Sequence, residues 1–430
     1  MDAAKLPDET ALEKTQLRLT EPIPIPPSPG LSFPPNVLTR APPLTDNTPQ
    51  LTRTLSTLGA IGLAFTITNS WMSYAATFGT ALLYGGGVTV LFGLIVAAVA
   101  QWVVLLGVCE MVSAVPSSGG CYHFTYAFST PKIRRFASFA VGMVNLLGFW
   151  IGGVSAAIYT TQSVFGMVGF ALDGEGFEPG LPGDRWEVYL AYVGVVLVSL
   201  IPILTIPPHK TKYLTTASLT LSLLFLVTFI TVLATLIGNR DGDSPGKESK
   251  YNTSNLTTHQ NRSGWSDPTA WLLSISLGMY SFSATGTVVN LAEEVPRAGW
   301  GVPVAINTTM ALGLTTAIPF IIVVLLGISD VPAVQEAYIP TLEAFYQATG
   351  RKAVAVGLQG CLVLLYYTVV CTQWVSVSRI AWSLARDVSK VKSSQVFRLK
   401  LRATYATPSP SSSHSSLLYH IISYQTTYLT

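Results

Sequence analysis

The sequence predicts an all-α, polytopic membrane helical bundle, and three observations carry that expectation. Hydrophobic residues fill 49% of the 430 positions and charged residues only 11%, with a mean hydropathy of +0.46. A soluble chain of this length needs more charge to cover its surface. The apolar residues are also gathered into long runs, and 88–108 holds Gln101 as its only strongly polar member. About 20 such residues cross the hydrocarbon core as a helix, and only helices and closed barrels satisfy their backbone there. Such runs are too long for barrel strands, which alternate over about 10 residues.

Eight membrane segments follow along the chain, over 58–83, 88–112, 136–170, 188–206, 213–237, 270–291, 304–328 and 353–381. The third is longer than one crossing needs, so tilt or extension beyond the bilayer is expected. Lys132, Arg134 and Arg135 follow the second segment, and Lys210 and Lys212 follow the fourth. The loop between holds Asp173, Glu175, Glu178, Asp184 and Glu187 against Arg185 alone. Basic loops stay in the cytoplasm, which puts both termini there. The loop 239–268 is then external and carries glycosylation sequons at Asn252, Asn255 and Asn261, although it also holds Arg240, Lys247, Lys250 and Arg262. A further sequon at Asn307 falls inside the seventh segment. The first 54 residues, with the Pro-rich run 22–29, read as a disordered cytoplasmic tail. Cys109, Cys121, Cys361 and Cys371 lie in or beside apolar segments without ligand spacing and read as packing thiols. No metal, cofactor or nucleic-acid partner is expected.

The first and sixth segments differ from the rest. The first is interrupted by Thr66-Ile-Thr-Asn-Ser-Trp71 and the sixth by Ser283-Ala-Thr-Gly-Thr287. Asn, Ser, Thr and Gly compete with or weaken helical hydrogen bonding. Inside a bundle they permit unwinding where the freed N–H and C=O groups find a partner. Half-helix ends of this kind bind charged solutes in transporters, while small residues also serve plain helix contacts. No ionisable residue stands clearly at the centre of any segment. Gln101, Asn145, Gln162, Asn290, Gln359 and Gln373 are the remaining polar candidates, mostly suited to helix packing, and Trp150, Tyr280 and Phe282 could cap a site.

At this point the chain resembles the amino acid–polyamine–organocation superfamily, and within it the fungal amino acid, choline and GABA permeases. Leu63-Ala-Phe-Thr-Ile-Thr-Asn-Ser-Trp71 is similar to that group's broken first helix. Glu110-Met-Val-Ser-Ala-Val-Pro-Ser-Ser-Gly-Gly-Cys-Tyr122 is similar to the E-x-x-S-x-x-P-x-x-G-G-x-Y signature. Ala292-Glu-Glu-Val295, Pro340 to Gly350 and Ser378 to Asp387 also match, so the permease domain is expected over 55–387. The resemblance implies a LeuT-type inverted-repeat fold working by alternating access. It implies an amino acid or amine substrate, held by Thr66, Thr68, Asn69 and Ser70 of helix 1 and Ser283, Ala284, Thr285 and Gly286 of helix 6. Thr285 and Gly286 depart from the family, which usually carries an aromatic and often an acidic residue there. Glu110, Glu293 and Glu294, at cytoplasmic helix ends, and Asn145 are the gate or structural candidates. A co-transported proton is the coupling ion to consider, yet the helix 5 lysine that serves some bacterial relatives has no counterpart in 214–237.

About eight of the family's usual twelve helices are expected here. Residues 388–430, basic and then Ser/Pro-rich, read as an atypical disordered tail in place of the later helices. That leaves two alternatives to a working carrier in the plasma or vacuolar membrane: a non-transporting truncated fragment, or a permease-derived nutrient sensor. An enzyme is disfavoured, because no H-E-x-x-H, Ser–His pair or facing carboxylate pair falls within the bilayer.

Overall fold

The computed structural model describes residues 56–172, 185–205, 211–238, 252–295 and 297–390. The expected N-terminal tail, and the C-terminal tail beyond residue 390, lie outside them. Among the described residues the regular structure is entirely helical. In chain order it comprises α1 (Thr57–Thr68), α2 (Ser70–Ala114), α3 (Cys121–Phe128), α4 (Arg134–Leu172), α5 (Arg185–Thr205), α6 (Thr211–Gly238), α7 (Asp267–Ser283), α8 (Ala298–Gly327), α9 (Val331–Glu336), α10 (Pro340–Thr349) and α11 (Lys352–Lys390). A short 3₁₀ turn covers Thr253–Leu256, and a long 3₁₀ stretch, Ala284–Glu294, follows α7.

Seven helical segments among the described residues are long and apolar enough to cross a membrane. The first, Thr57–Ala114, is 58 residues long, or about 87 Å at the helical rise, against a hydrocarbon core of about 30 Å. It is two crossings joined by a turn. The backbone leaves helical geometry at Gly85 and Gly86, and Gly86 has φ +72°, where only glycine is unstrained. Eight crossings result, close to the expected boundaries.

The turn also explains why three glycines stand in a row. The segment after Asn252 lies across it, Gln260 N–H donating to Gly85 C=O at 3.3 Å and Arg262 N–H to Leu83 C=O at 3.1 Å. A Cβ on Gly87 would sit 1.8 Å from the Asn255 carbonyl oxygen, so no side chain fits there.

Helix α1 forms the axis of the bundle, with Leu63 to Thr68 all buried. It packs against α6, α8 and the 3₁₀ stretch, while α2 lies along α7 and α8, and α4 along α11. Below the break in α1, Trp71, Phe229, Phe320 and Phe345 form an aromatic core across α2, α6, α8 and α10, with ring centroids 5.1–5.8 Å apart. Helices α4 and α5 turn large apolar side chains outward, among them Val144, Ile151, Leu190 and Ile201, as a lipid-facing surface requires.

Candidate functional site

The interruption in α1 is a single residue. Asn69 adopts φ 32°, ψ 62° in the left-handed region, which asparagine tolerates better than most residues. Its N–H still reaches Phe65 C=O at 2.6 Å, and its C=O accepts Ser73 N–H at 2.9 Å. Ser70, Trp71 and Met72 begin a new half-helix, so by position their N–H groups have no intrahelical partner. Around the break the side chains hold one another. Ser222 of α6 donates to Asn69 Oδ1 at 2.9 Å and accepts Trp71 Nε1–H at 3.1 Å. Ser73 Oγ donates to Thr68 C=O at 2.7 Å, and Thr66 Oγ1 to Gly62 C=O at 2.7 Å.

Helix 6 behaves differently from helix 1. Helix α7 does not unwind; it tightens at Ser283 into eleven residues of 3₁₀ helix. Runs beyond three or four residues are uncommon because 3₁₀ hydrogen bonds are poorer, and in mid-helix they mark hinges. The two altered segments meet: Thr68 Oγ1 and Thr285 Oγ1 are 3.4 Å apart.

The eight residues expected at the site therefore do not all converge. Thr68 and Thr285 touch. Asn69 spends its carbonyl oxygen on α6, and Thr66 reaches Thr215 C=O of α6 at 3.3 Å. Ser70 is fully buried beside Gly313 and Phe282, and its hydroxyl has no hydrogen-bond partner among the described residues. Ser283 is exposed and bonded back to Tyr280 C=O, while Ala284 and Gly286 are half-buried. Thr66, Thr68, Asn69 and Ser70 are at most 2% exposed, so their side chains are enclosed in this structure.

Sequence reasoning missed a tyrosine pair beside the break in helix 1. Tyr159 of α4 and Tyr366 of α11 have ring centroids 6.1 Å apart, and the Tyr366 hydroxyl lies 3.5 Å from Met72 C=O, three residues past the break. Tyr280 stands on α7, one turn before Ala284. Neither Tyr159 nor Tyr366 was singled out in the sequence, because one tyrosine in an apolar helix looks like any other.

A second polar group closes one end of the bundle. Buried Glu294 pairs with Arg379 of α11 through two hydrogen bonds, the NH2-to-Oε2 one being 3.1 Å. Glu293 Oε1 accepts Ser118 Oγ–H at 2.5 Å and Ser118 N–H at 3.3 Å. Asp387 Oδ2 accepts Tyr122 O–H and His123 Nε2–H, each at 2.7 Å, and Ser117 Oγ lies 2.5 Å from His123 Nδ1. The signature loop 110–122 is thereby tied to the ends of helix 6 and α11. Glu293 and Glu294 join this network. Glu110 does not; it is exposed on α2. Asn145 is half-buried on α4, its amide nitrogen without a partner among the described residues.

Other polar candidates are structural. Gln359 accepts Thr341 Oγ1–H at 3.0 Å and donates to Ser163 Oγ at 3.1 Å, and Gln373 donates to Phe149 C=O at 2.8 Å. The sequons separate in kind. Asn261 is half-buried, its amide bonded to Trp265 C=O and Asp267 at 2.8 Å, and Asn252 is half-buried. Asn255 is buried, its amide donating to Leu325 C=O at 3.0 Å and Ile328 C=O at 2.8 Å. A glycan cannot occupy that nitrogen in this fold, which corrects the expectation for Asn255. Among the described residues no group of His, Cys, Asp or Glu is placed to hold a metal ion.

The chain is thus a multi-pass helical bundle whose first and sixth membrane helices are both interrupted, and whose interruptions touch. The chain belongs to the amino acid permease family, whose sequence profile matches residues 55–390. It is similar to a choline transporter of Saccharomyces cerevisiae, 26% identical over 350 residues, covering 80% of this chain and 58% of that one. It is also similar to the transmembrane transporter swnT of Metarhizium robertsii (25% identical, 79% and 64% covered) and to a GABA-specific permease of S. cerevisiae (24%, 79% and 58%). The chain thus spans about six-tenths of the length of these relatives.

Proposed function

We propose that this permease carries an amino acid or a related small amine across the membrane, by alternating access around the two helix breaks. The observation that carries the reading is the meeting of the left-handed residue Asn69 with the α-to-3₁₀ switch at Ala284, through Thr68 and Thr285. At the break the half-helix beginning at Ser70 offers N–H groups and a positive dipole end, and the end of α1 offers carbonyl groups. A small solute with an ammonium group, with or without a carboxylate, is matched by such ends without any ionisable side chain. Relatives named for choline and for GABA support an ammonium-bearing substrate.

The Glu294–Arg379 and Glu293–Ser118 contacts are the gate on the side where helix 6 ends, closed in this structure. The basic loops support a cytoplasmic position for that side, with both termini there, and the plasma membrane is the proposed location. Proton coupling is the proposed driving force; without a helix 5 lysine, another group must take up the proton.

Reconstitution of the purified chain in liposomes tests the proposal. Amino acids, GABA, choline and polyamines are screened for uptake and for counterflow against preloaded unlabelled solute. Saturable counterflow of at least one is expected. Binding without flux would assign a sensor instead, and neither binding nor flux for any class would withdraw the reading.

A further inference from the structure

We infer that the base of α4 binds the headgroup of an anionic phospholipid, through Lys132, Arg134 and Arg135. Positions 111–172 contain no Asp or Glu, and these three cations crowd into 132–135, where α3 passes into α4. Among the described residues none of the three is in an ion pair. The carboxylates that touch α3 and the signature loop are engaged, Asp387 by Tyr122 and His123, and Glu293 by Ser118. The patch thus keeps its positive charge for an external anion.

The surface beside the cations says which anion. Lys132 and Arg135 are exposed, and Arg134 is held against α3 with its guanidinium 4.8 Å from the Tyr126 ring centre. Phe136 follows at once, 77% exposed, and Phe139, Val144 and Leu147 continue an exposed apolar face along α4. Charged side chains avoid the hydrocarbon core, so the headgroup plane passes through 132–135 and the acyl level begins at Phe136. A soluble anion would answer the cations alone. A phospholipid answers both, its phosphate at the cations and its chains on the apolar face. A choline headgroup carries an ammonium that cancels its phosphate, whereas an anionic headgroup keeps a net negative charge. Each Lys or Arg at the membrane surface favours such a charge by about fivefold. The site also bears on the closed end of the bundle. Ser138 Oγ–H donates to Tyr122 C=O at 2.7 Å, and the Tyr122 hydroxyl holds Asp387 of α11. A lipid seated at 132–135 therefore braces the corner that carries this contact.

The test is native mass spectrometry of the purified chain in detergent, titrated separately with phosphatidylserine and with phosphatidylcholine of the same acyl chains. Phosphatidylserine should bind about tenfold or more tightly. The double variant Lys132→Gln, Arg135→Gln should lose about 25-fold in phosphatidylserine affinity and bind the two lipids alike. Both side chains are exposed, so the fold should survive. The charge-keeping double variant Lys132→Arg, Arg135→Lys should stay within about threefold of the parent, and so should Arg351→Gln, an exposed cation just before the far end of α11. Glycerophosphoserine, the same headgroup without tails, should not displace the lipid at about hundredfold excess, because it lacks the contact with the apolar face. Equal binding of the two lipids by the parent, or a glutamine variant that keeps the preference, would overturn the site. Displacement by glycerophosphoserine would also overturn it, assigning the cations to a soluble anion.

Discussion

Replacing Asn69 separates a true backbone break from a merely polar helix position. In the structure residue 69 pays two roles at once: it holds φ 32°, and its Oδ1 accepts the Ser222 hydroxyl that in turn accepts Trp71 Nε1–H. Asn69→Ala removes the acceptor, a net loss of about 1 kcal/mol. It also puts a Cβ-bearing residue without local side-chain bonding into the left-handed region, at about 1–2 kcal/mol. The sum is about 2–3 kcal/mol. Asn69→Gly loses the same hydrogen bond but no left-handed penalty, so its cost is about 1 kcal/mol, plus up to about 1 kcal/mol for the extra freedom of the unfolded glycine. The unusual result is that glycine, inside a membrane helix, should be tolerated better than alanine. Unfolding of the protein in mixed micelles by titrated denaturing detergent, followed by tryptophan fluorescence, reads the difference. An alanine variant as stable as the glycine variant, or more so, would mean that residue 69 is an ordinary helical position.

Three further outcomes follow from single contacts. Glu294→Gln or Arg379→Met alone strands a buried charge and should cost about 3–5 kcal/mol, whereas the double variant should recover most of it; additive losses in the same unfolding assay would deny the pair. Gly87→Ala drives a Cβ into the Asn255 carbonyl and should abolish monodisperse extraction, while Gly107→Ala, with nothing within 4 Å, should be silent in size-exclusion chromatography. Burial pushes the Cys121 thiol, on the short helix outside the membrane spans, above the ordinary cysteine range. Its thiolate is scarce at neutral pH, so maleimide labelling of Cys121 in a variant lacking the other three cysteines should still be climbing at about pH 9, where an ordinary thiol nears its plateau; a profile that levels off by about pH 8 would contradict the burial.

The membrane architecture was legible in the sequence because runs of apolar residues and their basic flanks are local signals. So were the places where helices 1 and 6 change: Asn69 and Ser283 to Thr287 are conspicuous in apolar surroundings. What each break becomes was not legible. Nothing local distinguishes a left-handed residue at Asn69 from a tightening into 3₁₀ after Ser283, since both begin from the same residue types. Short helices α3, α9 and α10, of 6 to 10 residues, are below the length at which periodicity speaks. Partners far apart in the chain were invisible too: Arg379 and Glu294 are 85 positions apart, and Ser222 is 153 from Asn69. Tyr159 and Tyr366 gained meaning only when α4 and α11 placed them together. Asn255 shows the opposite failure, a local motif whose asparagine the fold buries under α8.

The most direct measurement is a cryo-EM map of the protein in lipid nanodiscs with a saturating transported amine. The account predicts solute density between the Thr68–Ser70 turn and the 283–286 segment, with Asn69 left-handed. A continuous α-helix through residue 69, or density lodged elsewhere with both helices unbroken, would contradict it.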